Sequence, residues 1–127
     1  MMNTIASRIH EKIMLILKEK ERLQSQIKAL RQSLDQLKKS IHSTEVNILL
    51  EDTAELQAGV PDYRLIAELQ EINKKKHILR DTEKELKDTT LKYDTINKTI
   101  EHYEYWMRRA DTHDIARQKE AEKVIFG

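Results

Sequence analysis

Apolar residues recur in the first half of this chain in alternating steps of four and three: Met2, Ala6, Ile9, Ile13, Ile16, then Leu23, Ile27, Leu30, Leu34, Leu37, Ile41 and Ile48, with Lys20 and Thr44 filling the two gaps. A seam held over more than six heptads is narrower than the apolar stripe of a globular-domain helix and has the period of a coiled coil. It requires a second helix to cover it. The second half starts a similar register at Leu65, Leu69, Ile72 and Leu79 and reaches Leu86; beyond it the useful positions are Tyr93, Ile96, Ile100, Tyr103, Met107 and Ala110. Joining the two sets takes two successive steps of three near Leu86, a stammer, and leaves Lys76, Glu83 and Thr89 on or beside the seam.

Between the halves lies "LQAGVPDYRL", residues 56–65, with the single proline of the chain, Pro61, and its one internal glycine, Gly59. Gly59 suits a helix C-terminal cap, Pro61 cannot continue a helix, and Asp62 is a good N-cap for the next. The same punctuation also serves a kinked continuous helix. Reversal gains weight from a folding test about Val60, in which residue numbers facing each other add to about 120: "IMLIL" at 13–17 then faces "YEYWM" at 103–107, the one aromatic cluster, and Thr44 faces Lys76. The expected fold is all-α, two long helices in an antiparallel coiled-coil hairpin. Its parts are a helix over about residues 4–57, a turn over about 58–62 and a helix over about 63–121, in a single unit spanning 1–127. Each arm would be roughly 80 Å long. The tail "QKEAEKVIFG", with Val124, Ile125 and Phe126, is expected to overhang the open end.

Composition agrees with long solvated helices: 35% charged, 39% hydrophobic and 5% aromatic residues. Lys plus Arg number 23 against 22 Asp plus Glu, a net charge of +1, which supplies no strong pull toward nucleic acid or a membrane surface. The absence of cysteine removes disulfide and cysteine-based metal chemistry. The run "IMLIL" is far short of a membrane span and has charge on both sides, so a soluble chain is expected.

Little in the sequence resembles catalytic machinery. The histidines His10, His42, His77, His102 and His113 lack carboxylates at the spacing of a compact metal site, although Asp111 and Asp114 flank His113. There is no glycine-rich phosphate loop, and the acidic residues alternate with Lys and Arg as in "DTEKELKD", the pattern of exposed helix faces. No enzyme activity, cofactor or metal is expected. Basic clusters at Lys38 and Lys39 and at Lys74, Lys75 and Lys76 lack interleaved aromatics. "YWMRR" differs, since it sets Tyr105 and Trp106 beside Arg108 and Arg109, the residue types enriched at binding hot spots.

The segment "YEYWMRRADTHDIARQKEAE", residues 103–122, resembles the end of the small coiled-coil stalk proteins of type III secretion and flagellar export, the YscO, SpaM/InvI and FliJ-like group. The likeness rests on Tyr105, Trp106, Met107, Arg108 and Arg109, followed after a short spacer by Ile115, Ala116, Arg117, Gln118 and Lys119, and covers about half the chain. It implies a central stalk for a hexameric secretion ATPase, with the paired termini in the ATPase ring. It also implies contacts to the export gate protein and, in some members, to secretion chaperones. Tyr105, Trp106, Arg108, Arg109, Arg117 and Lys119 would be the partner-binding residues. The implied location is cytoplasmic, peripheral at the inner-membrane export apparatus. A structural coiled-coil component of a filament or ciliary axoneme is the competing reading, with both seams covered by other chains. A prefoldin-type chaperone fits less well, because the short connection has no room for β-hairpins.

Overall fold

A computed structural model describes the backbone of residues 3–58 and 63–127 and the side chains of residues 3–50 and 63–127. The stop-and-restart signal of Gly59, Pro61 and Asp62 lies outside the described residues. Among the described residues there are three helices and no strand: α1 Thr4–Ala58, α2 Tyr63–Ala110 and α3 Ile115–Phe126. The two long helices pack against each other. None of the described helices is long and apolar enough to cross a membrane.

The seam read from the sequence is the buried face of α1. Ala6, Ile9, Ile13, Leu23, Ile27, Leu34 and Ile41 are buried, and Ile16, Leu30, Leu37 and Ile48 are half-buried between them. Lys20 and Thr44 occupy their expected seam positions and are likewise half-buried. No glycine or proline interrupts α1, and its other faces carry Lys, Glu, Gln and Arg, which favour helix where packing does not decide.

The register of α2 differs from the sequence expectation. The covered positions run Leu65, Glu68, Ile72, Lys75, Leu79, Thr82, Leu86, Thr89, Tyr93, Ile96, Ile100, Tyr103, Met107 and Ala110, in unbroken steps of three and four. The expected stammer is absent from α2. Leu69 is 47% exposed and Glu68 takes the half-buried place beside it; Lys75 and Thr82, not Lys76 and Glu83, lie on the covered face. One position in every heptad is therefore polar between Glu68 and Thr89. An apolar residue one step off the seam made the register look broken.

The chain divides into two compact units, one formed by Met1–Gln26 with Thr89–Gly127 and the other by Ile27–Asp88. In the second unit, polar seam residues find partners near at hand. Lys75 Nζ donates to Ser40 Oγ at 2.9 Å and lies 3.5 Å from Glu71, while Thr44 donates to the Ser40 carbonyl at 2.9 Å. Lys76 pairs with Glu45 at 3.3 Å instead of facing Thr44. Thr82 bonds back to the Ile78 carbonyl at 2.7 Å, so its hydroxyl is satisfied within its own helix.

In the first unit, Leu23 and Ile9 are the largest completely buried side chains. Fully burying such a side chain stabilises by about 1.5–3 kcal/mol. Gln24 donates to the Tyr93 hydroxyl at 3.0 Å, and the Lys20 ammonium stands 5.8 Å from the Tyr93 ring centre, which accommodates a cation at a seam position. The Gln24 hydrogen bond, then that of Asn97, holds the Tyr93 hydroxyl below its ordinary pKa. On the solvent side of α1, Glu19 and Arg22 form a two-pronged ion pair one turn apart. The hydrogen bond from Arg22 lowers the Glu19 pKa. A depressed carboxyl contributes stability above its unfolded-state pKa and loses it as pH falls through the folded one. Both side chains are well exposed, so the contribution is small. An NMR titration should place the Glu19 midpoint below the ordinary glutamate value, and Arg22→Ala should restore it. An ordinary midpoint in the wild-type chain would mean that the pair does not persist in solution.

Candidate functional site

The second helix does not run to residue 121. It stops at Ala110, where four residues in a row, Asp111, Thr112, His113 and Asp114, are poor helix formers. Asp111 N–H still reaches the Met107 carbonyl at 3.0 Å, but Thr112 N–H turns to the Ala110 carbonyl at 2.9 Å. Asp114, extended at φ −77° and ψ 108°, then caps a new helix by accepting from Ala116 N–H at 3.0 Å. The connection is tied by side chains: Thr112 Oγ1 accepts from Asp114 N–H at 3.3 Å, and Gln118 Nε2 donates to the Thr112 carbonyl at 2.6 Å. At the other end of α3, Gly127 adopts φ 84°, a left-handed conformation suited to glycine, and donates to the Lys123 carbonyl at 3.0 Å.

This break corrects the expected overhanging tail. α3 buries Ala121 and Ile125 in one cluster with Ala6, Ile9 and Ile13 of α1 and Ile100 and Ala110 of α2. Ile16 and Leu17 from "IMLIL" pack on the same cluster as Tyr103, Trp106 and Met107, while Met14 and Leu15 face solvent. Val124 alone of the three expected overhanging residues is exposed, at 45%. Phe126 is half-buried and lies beneath two cations of α1, with Arg8 Cζ 4.1 Å and Lys12 Nζ 4.7 Å from its ring centre. The apolar face of a twelve-residue helix is covered only if the chain turns at Asp111–Asp114, and the poor helix propensity there lets it turn.

Three of the expected site residues come together on this unit. Tyr105 is half-exposed and meets Trp106 edge-on, ring centres 5.3 Å apart at 87°. Arg109 Cζ lies 5.7 Å from the Trp106 ring centre, its Nη1 is 3.5 Å from the Tyr105 hydroxyl, and its Nη2 is 3.6 Å from Glu120 of α3. Trp106 thus packs inward on the core with one part of its ring and carries an arginine on another. The other three stand apart from that group. Arg108 and Lys119 are exposed and make no ion pair among the described residues, and Arg117 pairs with Asp114 at 3.7 Å, within the first turn of its own helix.

Several residues at this end escaped the sequence reading. Asn3 accepts from Ala6 N–H at 2.8 Å and donates to the Ala110 carbonyl at 2.6 Å, so one side chain serves the start of α1 and the end of α2. Arg8 pairs with Glu122 at 3.3 Å. The legible signal was Asp114 directly before Ile115, an N-cap followed by a short amphipathic run ending in glycine. Comparison with family models, with curated proteins and with solved structures finds no match to this chain.

Proposed function

We propose that this chain is an antiparallel coiled-coil hairpin acting as a non-enzymatic binding stalk, and that its partner is the hexameric ATPase of a type III secretion export apparatus. The observation that carries this reading is the Tyr105–Trp106–Arg109 group, a solvent-facing aromatic and arginine patch on a packed helical unit, lying within the segment that resembles the export stalk family. Trp, Tyr and Arg are the residue types enriched at interface hot spots, and the aromatic rings bury much area at little cost in conformational freedom. The hairpin itself is supported in the first unit by two pairs that run in opposite directions along the two halves, Asn3 with Ala110 and Gln24 with Tyr93.

In this reading Arg108, which makes no ion pair among the described residues, engages acidic groups of the ATPase, and Arg109 contributes through its stacked position on Trp106. The stalk would bias the conformations of the ATPase ring and help couple hydrolysis to export, with the export gate protein as a second contact. A filament component is the alternative, favoured by the exposed apolar residues Val46, Leu49, Leu50, Tyr63, Ile66 and Leu69, which a neighbouring chain would cover. The Arg108→Ala, Arg109→Ala double variant should lose most of the stimulation of a cognate secretion ATPase while keeping its helicity by circular dichroism. Full stimulation by the variant would remove these two residues from the interface, and failure of the wild-type chain to bind any secretion ATPase would sink the stalk reading.

A further inference from the structure

The seating of α3 has features of an exchangeable contact. It is a helix of twelve residues, short enough to be marginal on its own in water, and it buries two side chains, Ala121 completely and Ile125 nearly so. Its polar ties, Glu122 to Arg8 and Glu120 to Arg109, join side chains that are each about half exposed. The surface beneath it is built otherwise. Ala6, Ile9 and Ile13 lie on the long helix α1 and Ile100 and Ala110 on α2, so this face is held by seams that continue well beyond α3.

We propose that α3 occupies in cis a docking groove for an amphipathic helix of a partner protein that carries carboxylates along its groove-facing edge, and that binding of the partner displaces α3. The present occupant defines the chemistry of the other. A small residue must sit where Ala121 is fully enclosed, a β-branched residue follows four positions on, and an aromatic next to it enters the space between Arg8 and Lys12. Carboxylates at the positions of Glu120 and Glu122 meet Arg109 and Arg8. The rim of the groove is therefore cationic although the chain as a whole carries only +1. The inference does not rest on the partner being an ATPase.

The partner is unidentified, so the probe is a synthetic peptide of residues 115–127 added in trans to the full-length chain. In Ala121→Asp, an unpaired carboxylate at a fully enclosed position should expel the chain's own α3. The peptide should then bind at least about tenfold more tightly to this variant than to wild type, because the intact chain offers only the fraction of molecules whose groove is open. NMR shifts should move at Ala6, Ile9 and Ile13, and a peptide with Glu120→Lys and Glu122→Lys should bind neither chain. Equal binding to the two chains, no binding to the variant, or indifference to the charge reversal would overturn the proposal. Hydrogen exchange on the wild-type chain gives a readout independent of any variant. The amides of residues 119–126 should exchange faster than those of residues 9–23, and equal protection would mean that α3 does not open. A concentration-dependent wild-type dimer that the peptide dissolves would overturn it in favour of α3 exchange between two copies.

Discussion

Ile9→Ala is expected to lower the stability of the unit formed by Met1–Gln26 and Thr89–Gly127 by about 3 kcal/mol, within the usual 2–5 kcal/mol range for truncating a buried aliphatic side chain. Ile9 is completely enclosed, and its cluster draws on all three helices, with Ile13 on α1, Ile100 and Ala110 on α2, and Ala121 and Ile125 on α3. Two costs add. The methyl groups lose their transfer free energy, and the space they leave is framed by helix backbones that close over it only in part. Leu15→Ala, six residues further along α1, removes a side chain that is 65% exposed and should change stability by no more than about 0.5 kcal/mol. The chain has a single tryptophan, Trp106, and it packs on this cluster, so its fluorescence through a urea titration reports the unit that both substitutions affect. A midpoint for Ile9→Ala no lower than that for Leu15→Ala would contradict the three-helix packing at this end.

The contrast between these two apolar residues was legible in the spacing, although the folding test about Val60 set all of "IMLIL", Leu15 included, against the aromatic cluster. The four-and-three spacing places Ile9 on the seam and Leu15 off it, and α1 follows that spacing from Ala6 to Ile48, including its polar members Lys20 and Thr44. Periodicity failed on α2 for an identifiable reason. Hydrophobicity alone selects Leu69, but the covered position is Glu68, followed at heptad intervals by Lys75, Thr82 and Thr89. Long side chains can lay their methylenes along a seam while the charged end reaches out, as Lys75 does toward Ser40 and Glu71. A polar residue at the edge of a two-helix seam therefore leaves no gap in the packing, although it leaves one in the apolar pattern.

The candidate site was legible in its residue types and not in its arrangement. Tyr105, Trp106 and Arg109 do form one group, because positions 105 and 109 are one helical turn apart and 106 adjoins the first of them. Arg117 and Lys119 were expected on a continuation of α2. The break at Asp111–Asp114 puts them on a separate helix, where Arg117 is paired with Asp114. A break of four residues with no glycine or proline is a weak signal in an otherwise helical chain. What fixes it is tertiary: α3 recovers the burial of Ala121 and Ile125 only after the turn, and two side chains bind carbonyls at the break, Asn3 from the start of the chain and Gln118 from six residues beyond Thr112.

Asn3 supplies one of those bonds, and its replacement separates two contributions. The Asn3 side chain caps α1 by accepting from Ala6 N–H, and its amide donates to the carbonyl of Ala110, the last residue of α2, with a longer contact of 3.4 Å to that of Thr112. An N-cap is worth about 1 kcal/mol. A part-buried hydrogen bond to a carbonyl that has lost its helical partner is worth a further 1 kcal/mol or about that. Asn3→Ala removes both and should cost about 2 kcal/mol. Asn3→Ser keeps an oxygen at the cap and is too short to reach Ala110, so it should cost about 1 kcal/mol, all of it from the lost bridge. Hydrogen exchange tells where the loss falls: Asn3→Ser should speed exchange at residues 111–118 more than at residues 6–9, because the cap is kept and the bridge to Ala110 is lost. If Asn3→Ser matches the wild-type chain in both stability and exchange, Asn3 is an ordinary N-cap. The position of the α2 end would then be set by Asp111–Asp114 alone, through their low helix propensity and the bonds that Thr112 and Gln118 make within the turn.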